Sequence, residues 1–207
     1  MLKVGILIFD DVEVLDFCGP FEVFSIARKP SESSDDVPLF EAITVAEEDR
    51  LIVCRGGLLV QPHYTISNHA RLDIVVVPGG QGTRREMHNT RLLDWIEAQA
   101  ASGATMTSVC TGAFLLAEKG MLDGRSATTH WGSVDWLSEH YPQVNVLGDT
   151  RVVDTGDVIT SAGVSAGIDM ALSVVRRLHG EETAAWTARR MEYDYSPVPT
   201  ANAPIAP

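Results

Sequence analysis

Apolar positions along the chain fall into alternating strand-like and helix-like rhythms. Leu2 to Phe9 (LKVGILIF) and Ile74 to Val77 are short, almost unbroken apolar runs, the pattern of parallel strands buried on both faces, and strands are also expected over Phe40 to Ala46 and Thr105 to Val109. Between and after them the spacing changes to helical. Leu92, Leu93, Ile96 and Ala100 share one face of a helix over about 91–101, and Ile168, Ala171, Leu172, Val175 and Leu178 share the inward face of another over 165–178. Gly180 follows as the expected residue past the helix end. Further helices are expected to open at Gly19-Pro20, over 114–118, over 133–140 and over 181–192. The last carries Glu181 and Glu182 at its start and Arg189 and Arg190 near its end, the order the helix dipole favours.

Glycine and proline punctuate this alternation. Arg55-Gly56-Gly57 interrupts an apolar stretch over 51–60 and predicts a hairpin or bulged strand pair; Pro78-Gly79-Gly80 closes the strand before it. Short strands are expected over 126–128, and over 151–154 and 158–160 about the turn Thr155-Gly156-Asp157. The polar segment Pro30 to Pro38 (PSESSDDVP) predicts a surface loop, and the Pro- and Ala-rich tail over 196–207 a disordered end. Strands alternating with helices and no internal repeat predict a single α/β domain over 1–195, built on one doubly wound, mostly parallel sheet.

Composition narrows the function. A net charge of −12 with no run of Lys or Arg argues against nucleic-acid and anionic-membrane surfaces, which need clustered cations. No apolar stretch reaches the roughly 18 residues of a membrane span, and the chain starts directly on a strand, so a cytoplasmic protein without a signal peptide is expected. Cys18, Cys54 and Cys110 are irregularly spaced, which fits neither a disulfide framework nor a zinc ligand set and implies free thiols and no metal.

In a doubly wound sheet, ligands gather at the carboxyl ends of strands. The loops over 16–20, 78–82 and 110–112 all follow strands and are expected to meet there. Ser108-Val109-Cys110-Thr111-Gly112 places small residues on both sides of a cysteine, as a tight strand-to-helix elbow requires, with a helix N-terminus facing the sulfur. The positive end of that helix is expected to lower the thiol pKa and leave Cys110 nucleophilic at rest, although a buried, inert cysteine has the same local sequence. Asp16 reads either as a helix cap or as a carboxyl lying against the thiol, with a raised pKa and a proton to give. Backbone N–H groups of Gly80 and Thr111 are the natural pair to stabilise developing negative charge. His130 reads either as a base completing a Cys-His pair or as a structural residue.

Taken together, Leu15-Asp16-Phe17-Cys18-Gly19-Pro20, Val77-Pro78-Gly79-Gly80, Ser108-Val109-Cys110-Thr111-Gly112 and Ala127-Thr128-Thr129-His130-Trp131 resemble the ThiJ/PfpI superfamily. The likeness implies a flavodoxin-like fold related to class I glutamine amidotransferases. Within the superfamily the Asp in the first loop and the Cys-Thr-Gly elbow are most similar to isocyanide hydratases. That likeness implies a cofactor-independent Cys110 nucleophile assisted by Asp16 and the Thr111 hydroxyl, a small-molecule substrate, a pocket walled by Phe17, His130 and Trp131, and a homodimer. PfpI-type proteases carry His directly after the elbow cysteine, where this chain has Thr111. Glyoxalase-like members show Glu in the first loop, where it has Asp16, and Cys18 stands where isocyanide hydratases more often have Thr. Sensor domains of AraC-type regulators share the Thr-Thr-His-Trp run but continue into a helix-turn-helix region that this chain is expected to lack. A redox or ligand sensor and an enzyme of α-oxoaldehydes are the alternative functions.

Overall fold

The computed structural model describes residues 1–29 and 37–197. Its strands are β1 (Leu2–Leu7), β2 (Phe40–Ala46), β3 (Ile52–Val53), β4 (Leu59–Val60), β5 (Tyr64–Thr65), β6 (Ile74–Val77), β7 (Thr105–Val109), β8 (Ser126–Ala127), β9 (Asn145–Val146), β10 (Val152–Asp154) and β11 (Val158–Ser161). The helices are α1 (Val14–Ile26), α2 (Thr83–Glu86), α3 (Thr90–Ala101), α4 (Ala113–Glu118), α5 (Val134–His140), α6 (Ala166–His179) and α7 (Glu181–Arg190). Most of the Pro30–Pro38 loop, and the tail beyond residue 197, lie outside the described residues.

One seven-stranded sheet runs in the order β10-β11-β7-β6-β1-β2-β5. Every pairing in it is parallel except β10 with β11. The doubly wound α/β architecture expected from the apolar runs is therefore present. All of β6 and the last four positions of β1 are buried, which is why those segments read as continuous hydrophobic sequence. Helices α1, α6 and α7 pack on one another, while α2 and α3 pack on α4. From β1 the chain moves outward to β2 on one side, then returns to place β6 on the other. This reversal makes the β1/β6 boundary the topological switch point, where a crevice opens at the carboxyl edge.

Two local expectations are corrected. Gly19-Pro20 does not open α1: the helix starts at Val14 and runs through Pro20. Glycine is needed at position 19 for packing, because a Cβ there would come within 2.9 Å of Ile168 Cγ1 on α6. Pro20 costs the helix one backbone donor, and the contacts of α1 with α6 and the sheet offset that loss. Leu178, expected inward on α6, is exposed, whereas Ala171, Leu172 and Val175 are buried as expected.

Candidate active site

Strand β7 delivers Cys110 in the left-handed backbone region, with φ 57°. A non-glycine residue held there costs about 1–3 kcal/mol and persists only where its surroundings fix it. Cys110 N–H donates to Ala162 O at 3.1 Å, and Thr129 Oγ1–H donates to Cys110 O at 2.8 Å, so both main-chain polar groups are anchored. The turn Cys110–Gly112 then leads into α4. Gly112 is obligatory, since a Cβ on it would lie 2.0 Å from Val77 O at the end of β6.

Asp16 is fully buried in the first turn of α1. It does not cap the helix: the residue before the helix is Glu13, and Asp16 Oδ2 instead accepts from Gly79 N–H at 2.9 Å. Its Oδ1 has no hydrogen-bond partner among the described residues. Burial pushes the Asp16 carboxyl up to about 7, helped by the charge of Glu13 and opposed by the Gly79 N–H and by Cys110. Burial first, then the neighbouring Asp16, pushes the Cys110 thiol up to about 12, against the Thr111 N–H and hydroxyl. Both shifts share a cause: burial penalises either anion and each group repels the other's charge, so the pair resists carrying two negative charges at once. The helix end expected to lower the thiol pKa belongs to a helix of only 6 residues, and desolvation and Asp16 act on the thiol in the opposite, raising direction.

Around this pair is a lattice of hydroxyls. Gly80 N–H donates to Thr111 Oγ1 at 3.1 Å, so it is engaged within the protein and is not the free substrate-facing donor expected from the sequence. Thr83 Oγ1–H donates to Gly80 O at 2.8 Å, and the same oxygen lies 3.1 Å from Thr111 Oγ1. The Thr111 N–H acts on the Cys110 sulfur and is the backbone donor beside it. Val164 is also left-handed, with φ 54°, an outlying conformation for a β-branched residue.

A cavity of about 260 Å³ opens over the sulfur, and Cys110, Thr111, Gly80, His130, Trp131, Val164 and Arg84 are among its walls. His130 and Trp131 therefore stand where the sequence placed them. His130 Nδ1 accepts from Gly132 N–H at 3.2 Å, and a Cβ on Gly163 would meet His130 Cδ2 at 2.2 Å, so the ring is seated on that glycine. Phe17 is a correction: it is buried in the hydrophobic core and does not line the cavity. Thr83, Arg84 and the Glu13–Arg55 ion pair at 2.9 Å were not singled out from sequence. Four-residue α2 gives no periodic signal, and Glu13 and Arg55 become neighbours only through the fold. A larger cavity of about 440 Å³ beside Arg50 and Arg85 has no cysteine, serine or threonine in its walls. Among the described residues no group of three or more His, Cys, Asp or Glu is placed to hold a metal ion.

The model of the DJ-1/PfpI family matches residues 2–177. The chain belongs to this family. The isonitrile hydratase of Pseudomonas putida is 34% identical over 197 residues, covering 95% of this chain and 80% of that protein. The HTH-type transcriptional regulator GbdR of Pseudomonas aeruginosa is 28% identical across 93% of this chain, which spans only 51% of the regulator. Among solved structures, a ThiJ/PfpI family protein from Pseudomonas syringae superposes with a TM-score of 0.82 at 28% identity, covering 97% of this chain and 78% of that one. DJ-1beta of Drosophila melanogaster shares the fold, with a TM-score of 0.78 at 20% identity over 94% of this chain and 99% of that one. This DJ-1/PfpI member thus has relatives that are enzymes and relatives that are regulators, and its site chemistry has to separate the two.

Proposed function

We propose that the protein is a cofactor-independent isocyanide hydratase, in which Cys110 is the nucleophile and Asp16 its proton relay. The observation that carries the reading is the buried carboxyl–thiol pair at the mouth of a small cavity, with one carboxyl oxygen held by Gly79 N–H and the other unpartnered. Asp16, as the carboxylate, takes the thiol proton while Sγ bonds to the terminal carbon of R–NC. Asp16 returns that proton to the same carbon, giving the thioimidate R–N=CH–S–Cys110. Water, deprotonated by Asp16, adds to the carbon, and the nitrogen takes up a proton. The C–S bond of the resulting tetrahedral species breaks, Cys110 recovers its proton, and R–NH–CHO leaves. The sum is isocyanide plus water to N-substituted formamide. Thr111 N–H stabilises the sulfur as it gains charge and again as it departs.

Likeness to part of a transcriptional regulator favours a second reading, a ligand or redox sensor. A redox sensor would use the same thiol, and Cys110 is buried apart from the cavity over its sulfur, which leaves an oxidant little open surface. An enzyme of α-oxoaldehydes would use the same nucleophile and is separated by substrate. The reading includes a cytoplasmic setting that keeps Cys18, Cys54 and Cys110 as free thiols, and a homodimer. Pairing is supported by Leu51, Val53, Leu58 and Leu59, which expose apolar surface on and beside the β3–β4 hairpin, next to the cavity wall at Arg55. The direct test of the relay is Asp16→Asn, which removes the base but keeps an acceptor for Gly79 N–H. Turnover of isocyanide is expected to fall by at least about a hundredfold; full activity in this variant would reduce Asp16 to a structural role.

A further inference from the structure

Arg84 stands apart among the charged groups around the cavity. Glu13 and Arg55 neutralise each other at 2.9 Å, and Asp16 is sealed from solvent beneath the sulfur. Arg84 lines the same cavity, yet pairs with no carboxylate among the described residues. Its guanidinium is nonetheless fixed: Nη1 donates to Gly80 O at 3.3 Å and to Thr83 Oγ1 at 3.2 Å, and Cζ lies 5.4 Å from the centroid of the Phe114 ring. Those contacts use one of the terminal nitrogens, whereas the fork carries five donors and is suited to a planar anion. The surroundings sharpen the point. A chain of net charge −12 repels anions at long range, so a positioned, unpaired cation in the wall of the reaction cavity is where an anionic substrate would find its complement.

We propose that Arg84 determines substrate class, and that the preferred substrates carry a carboxylate or similar oxyanion on the side of the molecule away from the reacting carbon. The inference rests on the reading of Cys110 as the nucleophile. A cavity of about 260 Å³ limits such a substrate to a small one, with the carbon at Sγ and the anion at the guanidinium. Removing Arg84 also disturbs the hydrogen bonds to Gly80 and Thr83, so the informative quantity is a ratio between anionic and neutral reagents, in which that disturbance cancels.

The experiment compares alkylation of Cys110 by iodoacetate and by iodoacetamide, which share a reacting carbon and leaving group and differ in charge, read at the Cys110 peptide by mass spectrometry. From wild type to Arg84→Met, the rate ratio of iodoacetate to iodoacetamide is expected to fall about fivefold or more. Arg84→Lys should retain part of the preference, and high salt should lower the wild-type ratio. In parallel, the kcat/KM ratio of isocyanoacetate to its ethyl ester is measured on the same proteins, with the change expected in KM more than in kcat. An alkylation ratio that is the same in wild type and Arg84→Met overturns the proposal whatever the turnover. A ratio that falls while neither isocyanide is consumed upholds anion selection and removes the hydratase reading instead.

Discussion

At the scale of single residues, the chemistry follows from which of two buried acids gives up its proton. Asp16 ionises at about 7 because it is desolvated, and Cys110 near 12 because it is desolvated beside Asp16. In the proposed relay Asp16 acts as the carboxylate, and kcat/KM is expected to rise with pH through about 7 as Asp16 becomes a base. A profile flat across that range would place the base elsewhere. The same shift has a consequence for stability. A carboxyl raised from 3.8 to about 7 binds its proton more tightly in the folded chain, so its contribution to stability is present at low pH and is lost as pH climbs through about 7. Asp16→Asn carries no such penalty. Its midpoint of thermal unfolding should exceed that of wild type at pH 8, and the advantage should vanish near pH 4; scanning calorimetry at the two values checks both.

At the scale of elements, the site depends on how closely β6, the elbow and α1 approach one another. The main-chain carbonyl of Val77 leaves no room for a side chain at Gly112. Gly112→Ala should lower stability by about 3 kcal/mol in urea unfolding, because the clash is with strand backbone that cannot rotate away. A loss within error would mean that the elbow is looser than described. This dependence on approach also explains what could be read from the sequence. The expected bounds of β2, β6 and β7 agree with the structure to the residue, and β6, buried throughout, is the one of the three marked by a continuous apolar run. Cys110, Asp16 and Thr111 were recognisable because loops after parallel strands converge. The start of α1 was misplaced because Gly-Pro imitates a helix opening, while the actual demand for glycine comes from Ile168, far along the chain. The capture of Gly80 N–H by Thr111, and the bridging by Thr83, depend on side-chain positions that no local pattern encodes. Helix position is likewise visible in sequence, whereas the burial of Cys110 against a carboxyl is not.

At the scale of the whole molecule, one sheet sets the arrangement, because its strand order reverses beside β1 and thereby brings the first turn of α1, with Asp16, to the elbow. The β3–β4 hairpin stands at the margin of this site with Leu58 and Leu59 about half exposed, at 47% and 55%. If it pairs two copies, Leu59→Lys should shift the mass seen by light scattering toward the monomer, as a buried charge in the interface would require; an unchanged dimer would move the contact to another face. None of this has meaning unless the cavity performs the reaction assigned to it. The deciding measurement is continuous ultraviolet detection of formamide from a simple aromatic isocyanide, with wild type and Cys110→Ala side by side and methylglyoxal as a parallel substrate. Formamide from wild type alone, with methylglyoxal untouched, is the predicted result. Turnover retained by Cys110→Ala, or methylglyoxal consumed while the isocyanide is not, would contradict it.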